Sequence, residues 1–122
     1  MESRWCWLRG RAWLVTGYCG GQDILTALHA WLDSPPPEKY LLALDRLFAA
    51  LLRERISHGD LKGTNLLWDE ASGCWSLIDL DAMQQHRSAQ GFARAYARDR
   101  ARFLRNWPAD SKLYRMLDER LA

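Results

Sequence analysis

The stretch Ser57-His-Gly-Asp-Leu-Lys-Gly-Thr-Asn65 gathers side chains that can do chemistry. His58, Asp60, Lys62 and Asn65 stand in the spacing H-x-D-x-K-x-x-N, and Asp79 follows fourteen residues after Asn65, within Leu77-Ile-Asp-Leu-Asp81. A carboxylate such as Asp60 can orient a hydroxyl and take its proton. An ammonium such as Lys62 neutralises anionic oxygens. The amide oxygen of Asn65 and the carboxylate of Asp79 are hard ligands of the kind Mg²⁺ prefers. Asp81 is open between two uses, a helix N-cap and a second metal-facing carboxylate. Taken singly, each residue has an ordinary structural use: Asp60 as a turn cap, Asn65 in a left-handed position, Lys62 in solvent. Those separate uses do not account for the joint spacing. His29 and His86 read as plain surface or core residues.

Regular elements must hold such a set in place. Tyr40, Leu41, Leu44, Leu47, Phe48, Leu51 and Leu52 recur with helical period, which predicts an amphipathic helix from about Glu38 to Arg55 leading into the loop. Ser34-Pro-Pro-Pro37 opens it, with Ser34 as candidate cap. A shorter helix is expected before it, because Ile24, Leu25, Leu28, Trp31 and Leu32 share one face, with Gln22 or Asp23 at its start. After the loop, Leu66-Leu-Trp68 and Trp75-Ser-Leu-Ile78 flank Asp69-Glu-Ala-Ser-Gly73 and read as a hairpin. An earlier hairpin is expected from Arg4-Trp-Cys-Trp-Leu8 and Ala12-Trp-Leu-Val-Thr16 around Arg9-Gly10-Arg11. Two helices close the chain, about Ala89 to Trp107 and Ser111 to Leu121, with Pro108 between them. Phe92, Tyr96, Phe103 and Trp107 form one stripe of the first, and Asp99 lies in that stripe. A carboxylate on an apolar seam requires a partner.

Composition agrees with that count of elements. The 122 residues, one domain's worth of chain, include 20 Leu and 15 Ala but only seven β-branched residues, so an α+β, mainly α fold is expected and an all-β sandwich or barrel is not. A net charge of +2 gives no general attraction to nucleic acid. Locally, Arg87 to Arg105 holds six Arg and one Asp, which suits either a solvated helix face or an anionic surface. Cys6, Cys19 and Cys74 are odd in number and lack metal-ligand spacing, which argues against a disulfide framework and a zinc site. No transmembrane run and no signal-peptide pattern is visible, so a cytoplasmic protein is expected.

The loop His58-Gly-Asp60-Leu-Lys62-Gly-Thr-Asn65, followed by Asp79 at the end of an apolar run, resembles the catalytic loop and metal-binding aspartate of the protein-kinase-like fold. The phrase Ile78-Asp-Leu-Asp81, the His-Gly-Asp-Leu-Lys loop and Arg98-Asp99-Arg-Ala-Arg-Phe-Leu-Arg-Asn-Trp107 look most like the bacterial lipopolysaccharide kinase (Kdo/WaaP) family, over roughly Trp5 to Trp107. The resemblance implies an ATP- and Mg²⁺-dependent phosphotransferase acting on lipopolysaccharide core sugars at the cytoplasmic face of the membrane. Asp60 is then the residue that orients and deprotonates the acceptor hydroxyl, and Lys62 reaches the transferred phosphate. Asn65 and Asp79 hold the metal, with Asp81 as a second candidate. His58 braces the loop, and Asp99 plays the part of the buried helix aspartate that holds the loop backbone. Thr16, Tyr18 and Cys19 fall where the adenine-contacting hinge would be.

Departures from the protein-kinase pattern narrow the expectation. Gly59 stands where regulated kinases carry Arg, Leu80-Asp81 replace Phe-Gly, no Ala-Pro-Glu follows, and about ten residues separate Asp79 from the next helix. That leaves no platform for a peptide and points to a sugar or other small-molecule acceptor, such as an anionic glycolipid. Neither a glycine-rich strand pair nor a strand lysine is present. The expectation is therefore a partial kinase-like domain over residues 1–122, with a residual N-lobe hairpin and hinge at 1–19 and a helical C-lobe at 20–122. Trp5, Trp7 and Trp13 are candidates for apolar surface that drives self-association. Two other functions share the loop: a small-molecule kinase of the aminoglycoside or choline type, and a catalytically inert pseudokinase or binding module.

Overall fold

A computed structural model describes residues 2–8 and 11–17, as backbone, and residues 21–121 with their side chains. In chain order the elements are strands β1 (Glu2–Leu8) and β2 (Arg11–Gly17), helices α1 (Ile24–Leu28) and α2 (Glu38–Glu54), strands β3 (Ile56–Ser57), β4 (Leu66–Asp69), β5 (Cys74–Leu77) and β6 (Gln84–Gln85), and helices α3 (Ala89–Leu104) and α4 (Lys112–Arg120). Among the described residues the fold is α+β and mainly helical, with small antiparallel sheets.

The clearest periodic signal becomes the longest helix. Along α2, Leu41, Leu44, Leu47, Phe48 and Leu51 are buried, while Leu52, expected on that face, is 45% exposed. Pro37 occupies the N-cap position and no side chain caps the helix, so Ser34 is not the cap. Arg55 ends it in the left-handed region at φ 54°, its N–H donating to the carbonyls of Leu51 and Leu52. Helix α1 is shorter than its apolar pattern predicts. The Asp23 carboxylate caps it through the Thr26 N–H at 2.9 Å, and after Leu28 the chain tightens into a 3₁₀ turn, His29–Trp31. Such tightening is common where a helix ends ahead of prolines that cannot continue it.

Hairpin β4–β5 has the register Leu66↔Leu77 and Trp68↔Trp75. Strand β1 pairs with β2 along its length and with β5 at Trp5↔Leu77, giving one sheet in the order β2-β1-β5-β4. The two expected hairpins are thus one sheet. Strands β3 and β6 form a second, two-residue sheet with Ile56↔Gln85 and Ser57↔Gln84. Two glutamines carry no strand signal. Context holds them: Gln85 Nε2 donates to the Glu54 carbonyl at 3.0 Å and the His86 N–H to the Arg55 carbonyl at 2.8 Å, satisfying carbonyls that the end of α2 leaves open.

The core lies where α2, α3 and α4 meet the β4–β5 hairpin. Phe103 is fully buried, with its ring 5.2 Å from Phe48 and 5.0 Å from Trp107. Leu113 and Leu117 bring the inner face of α4 into the same cluster. Tyr40, Trp68 and Trp75 form a second aromatic group at 4.8 to 5.4 Å, tied to α2 by the Trp75 indole N–H donating to the Tyr40 carbonyl at 3.0 Å. Helix α3 stops at Leu104 rather than Trp107, and α4 begins after Ser111, whose hydroxyl accepts from the Tyr114 N–H. Cys74 is disulfide-bonded, against the expectation of no disulfide framework. Among the described residues no helix is long and apolar enough to cross a membrane. The turn at Arg9 and Gly10 and the expected hinge residues Tyr18 and Cys19 lie outside the described residues, as do the side chains of Trp5, Trp7, Trp13 and Thr16.

Candidate active site

The loop between β3 and β4 is held from three directions. From α3, the Asp99 carboxylate, only 4% exposed, accepts the His58 N–H at 2.7 Å on Oδ2 and the Gly59 N–H at 3.0 Å on Oδ1. The partner that Asp99 required on its apolar stripe is therefore the loop backbone. Charge-assisted bonds of this kind are about twice as strong as neutral ones. From within the loop, fully buried His58 accepts the Asp60 N–H on Nδ1 at 3.1 Å. Its Nε2 lies 2.8 Å from the Ile78 carbonyl, so the neutral Nε2–H tautomer satisfies both ring nitrogens at once. The imidazole is a brace, with no nitrogen left for proton transfer.

The third hold is the β4–β5 hairpin. Asn65 immediately precedes β4 and Ile78 follows β5, and the Ile78 N–H donates to the Asn65 carbonyl at 3.0 Å. This rung, with the His58 bond to Ile78, brings Asp79 beside the loop despite thirteen intervening residues. Asp79 itself sits in the left-handed region, at φ 57° and ψ 62°. It is exposed and occupies the cap position of the 3₁₀ turn Leu80–Ala82, but its side chain makes no cap hydrogen bond. Asp81 lies inside that turn and is exposed, so it is not the N-cap.

Glycine at 59 is required sterically. Its φ is +92°, and a Cβ there would lie 2.8 Å from the Ala82 Cβ and 3.2 Å from the Ala82 carbonyl oxygen. The turn after Asp79 therefore packs directly on the loop. Gly63 serves a similar close approach from the other side, where a Cβ would fall 2.6 Å from the Leu25 Cγ of α1.

Asp60 and Lys62 are the open part of the arrangement. Lys62 Nζ lies 3.5 Å from Asp60 Oδ2, with the two side chains 41% and 43% exposed. Arg102, from α3, brings its Nε to 4.0 Å from Oδ1. Exposed pairs of this kind contribute little to stability, so these groups remain free to engage a ligand. Arg102 was legible in the sequence only as a member of the basic run Arg87 to Arg105, not as a neighbour of Asp60.

Asn65 and Asp79 suit a hard cation by their donor chemistry. The Asn65 Nδ2 donates to the Asp60 carbonyl at 2.9 Å, which fixes the amide and leaves Oδ1 for a ligand. Among the described residues no group of three or more His, Cys, Asp or Glu side chains gathers for a metal. Two protein oxygens are what a Mg²⁺ ion needs when water and phosphate oxygens complete its shell. Thr16 lies within β2, which β1 separates from the β4–β5 hairpin.

The arrangement thus sets an exposed carboxylate between two cations, beside two further oxygen donors, all anchored to a buried aspartate and a buried histidine. Comparison of the chain with protein families, characterised proteins and solved structures gives no match.

Proposed function

We propose that the chain is the catalytic-loop lobe of a kinase-like phosphotransferase, of the lipopolysaccharide-kinase type, that transfers phosphate from ATP to a sugar hydroxyl. The observation that carries this reading is the double hydrogen bond from Asp99 to the His58 and Gly59 amides, together with the His58 bridge between Asp60 and Ile78. These bonds hold Asp60, Asn65 and Asp79 in fixed relation without using any of the three side-chain oxygen groups. Phosphoryl transfer asks chiefly for such positioning and for neutralisation of anionic oxygens. In this reading Asp60 orients the acceptor hydroxyl and accepts its proton, while Lys62 faces the transferred phosphoryl oxygens. Asn65 and Asp79 would hold Mg²⁺, which supplies charge neutralisation at the nucleotide phosphates.

The stretch from Asp79 to Ser88 favours a small acceptor over a peptide. It is folded into one 3₁₀ turn and the strand β6, paired to β3, which leaves no extended platform. A glycolipid acceptor would place the protein at the inner face of the membrane.

The test is nucleotide binding by the full chain. Isothermal titration with ATP should give saturable, Mg²⁺-dependent binding at millimolar concentration or tighter, abolished in Asp79→Asn and retained in Asp60→Asn. Absence of binding at millimolar ATP with Mg²⁺ would overturn the proposal in favour of an inert binding module.

A further inference from the structure

Beside the loop lies a cavity of about 180 Å³ between the β3–β6 sheet and α3. Gly59, Gln84 and His86 line it on one side, and Arg98, Asp99 and Arg102 on the other. We infer that this cavity is a binding site for a phosphate-type oxyanion, gripped by the guanidinium groups of Arg98 and Arg102.

Charge supplies the first argument. Arg94, Arg98 and Arg102 recur every fourth residue along α3, so like charges stack on one face, an arrangement that is unfavourable without a counter-charge. Arg98 is exposed and has no hydrogen bond or ion pair to another described residue. Arg102 has a single distant partner, Asp60 at 4.0 Å. The acidic group in the wall, Asp99, has both oxygens committed to the loop amides. Donor geometry supplies the second. Each guanidinium presents a planar fork that matches two oxygens of a phosphate. His86 lines the cavity as well, with its Nε2 held by Ser57 Oγ at 2.7 Å. The volume suffices for an oxyanion with ordered water. Arg94 and Arg105 belong to the same basic run but do not line the cavity.

The site would accept free phosphate or the phosphate of a sugar phosphate, and its existence does not depend on phosphotransfer. Binding is read by ³¹P line broadening of inorganic phosphate on the full chain, at constant ionic strength with chloride as balance. Saturable broadening should weaken by about tenfold in the pair Arg98→Gln and Arg102→Gln, and stay unchanged in the equally charged pair Arg94→Gln and Arg105→Gln. The charge-preserving pair Arg98→Lys and Arg102→Lys, which keeps the field and removes the forks, should also weaken it. Equal loss in the two glutamine pairs would show a diffuse field and overturn the inference, as would non-saturable broadening in the native chain. Glucose 6-phosphate serves as the second probe. Tighter binding than inorganic phosphate, with the same arginine dependence, assigns the site to a phosphorylated sugar; equal binding assigns it to free phosphate.

Discussion

At the residue scale, two buried polar side chains organise everything exposed around them. Asp99 and His58 are both less than 5% exposed and both fully engaged with backbone groups, of the loop and, for His58, also of Ile78 after β5. Burial of a carboxylate costs several kcal/mol unless strong hydrogen bonds offset it, and here the two amides do so. Asp99→Ala removes both acceptors and leaves two N–H groups of a packed loop unsatisfied, at roughly 1–3 kcal/mol each. Urea unfolding should show a loss of about 2–6 kcal/mol, and amide exchange at His58 and Gly59 should accelerate. Asp99→Asn keeps one acceptor and should lose about half as much; an unchanged midpoint in the alanine variant would show that the two bonds carry no load. The loop residues could be read from their spacing, and Asp99 from its misfit on an apolar stripe. Arg102 could not, because its significance depends on which face of α3 meets the loop.

At the scale of elements, one stripe of α3 does two jobs: Asp99 holds the loop and the aromatic residues along it pack inward. Its apolar side packs Phe103 and half-buried Tyr96 against Phe48 of α2, with the Tyr96 ring 6.3 Å from Phe48 and 5.6 Å from Phe92. Burial raises the Tyr96 phenol above its ordinary value of 10.0, and Arg100 opposes that only in part. The folded state therefore holds this proton more tightly than the unfolded chain does. Stability tied to Tyr96 is intact below about pH 10 and declines as pH rises from there through the raised folded value, because the unfolded chain ionises first. Tyr96→Phe should flatten the alkaline fall in stability without changing the profile at neutral pH, as read from unfolding midpoints between neutral and strongly alkaline pH. Helices α2 and α3 were legible because amphipathic period is a local property. Strand β6 was not: its glutamines pair only because the end of α2 and β3 offer open carbonyls and amides.

Across the whole molecule, apolar packing and surface charge both hold the helices together, and their magnitudes differ. Arg120 bonds Asp45 through two nitrogens at 2.9 to 3.1 Å and Glu38 at 3.0 Å, and chiefly the Asp45 bond raises its affinity for a proton. An exposed network of this kind contributes up to about 1 kcal/mol and is weakened by salt. Phe103, fully buried between Phe48 and Trp107, contributes far more. Phe103→Ala should lose about 3–5 kcal/mol by denaturant unfolding, against about 1 kcal/mol or less for Arg120→Ala. A larger loss for the arginine variant would reverse the ranking.

What the sequence determined alone was the helical weight of the fold, the two long helices, the hairpins and the spacing of loop residues that can do chemistry. Each rests on local periodicity or local composition, which a chain carries before it folds. Tertiary structure decided the rest. It joined the two hairpins through β1 and β5, paired Gln84–Gln85 with Ile56–Ser57, and brought Asp79 to Asn65 across one rung of a hairpin. It also brought Arg98 and Arg102 of α3 to a cavity that Gly59 lines. These depend on which surfaces meet, and surfaces meet where burial is greatest and where backbone groups left open by one element find partners in another.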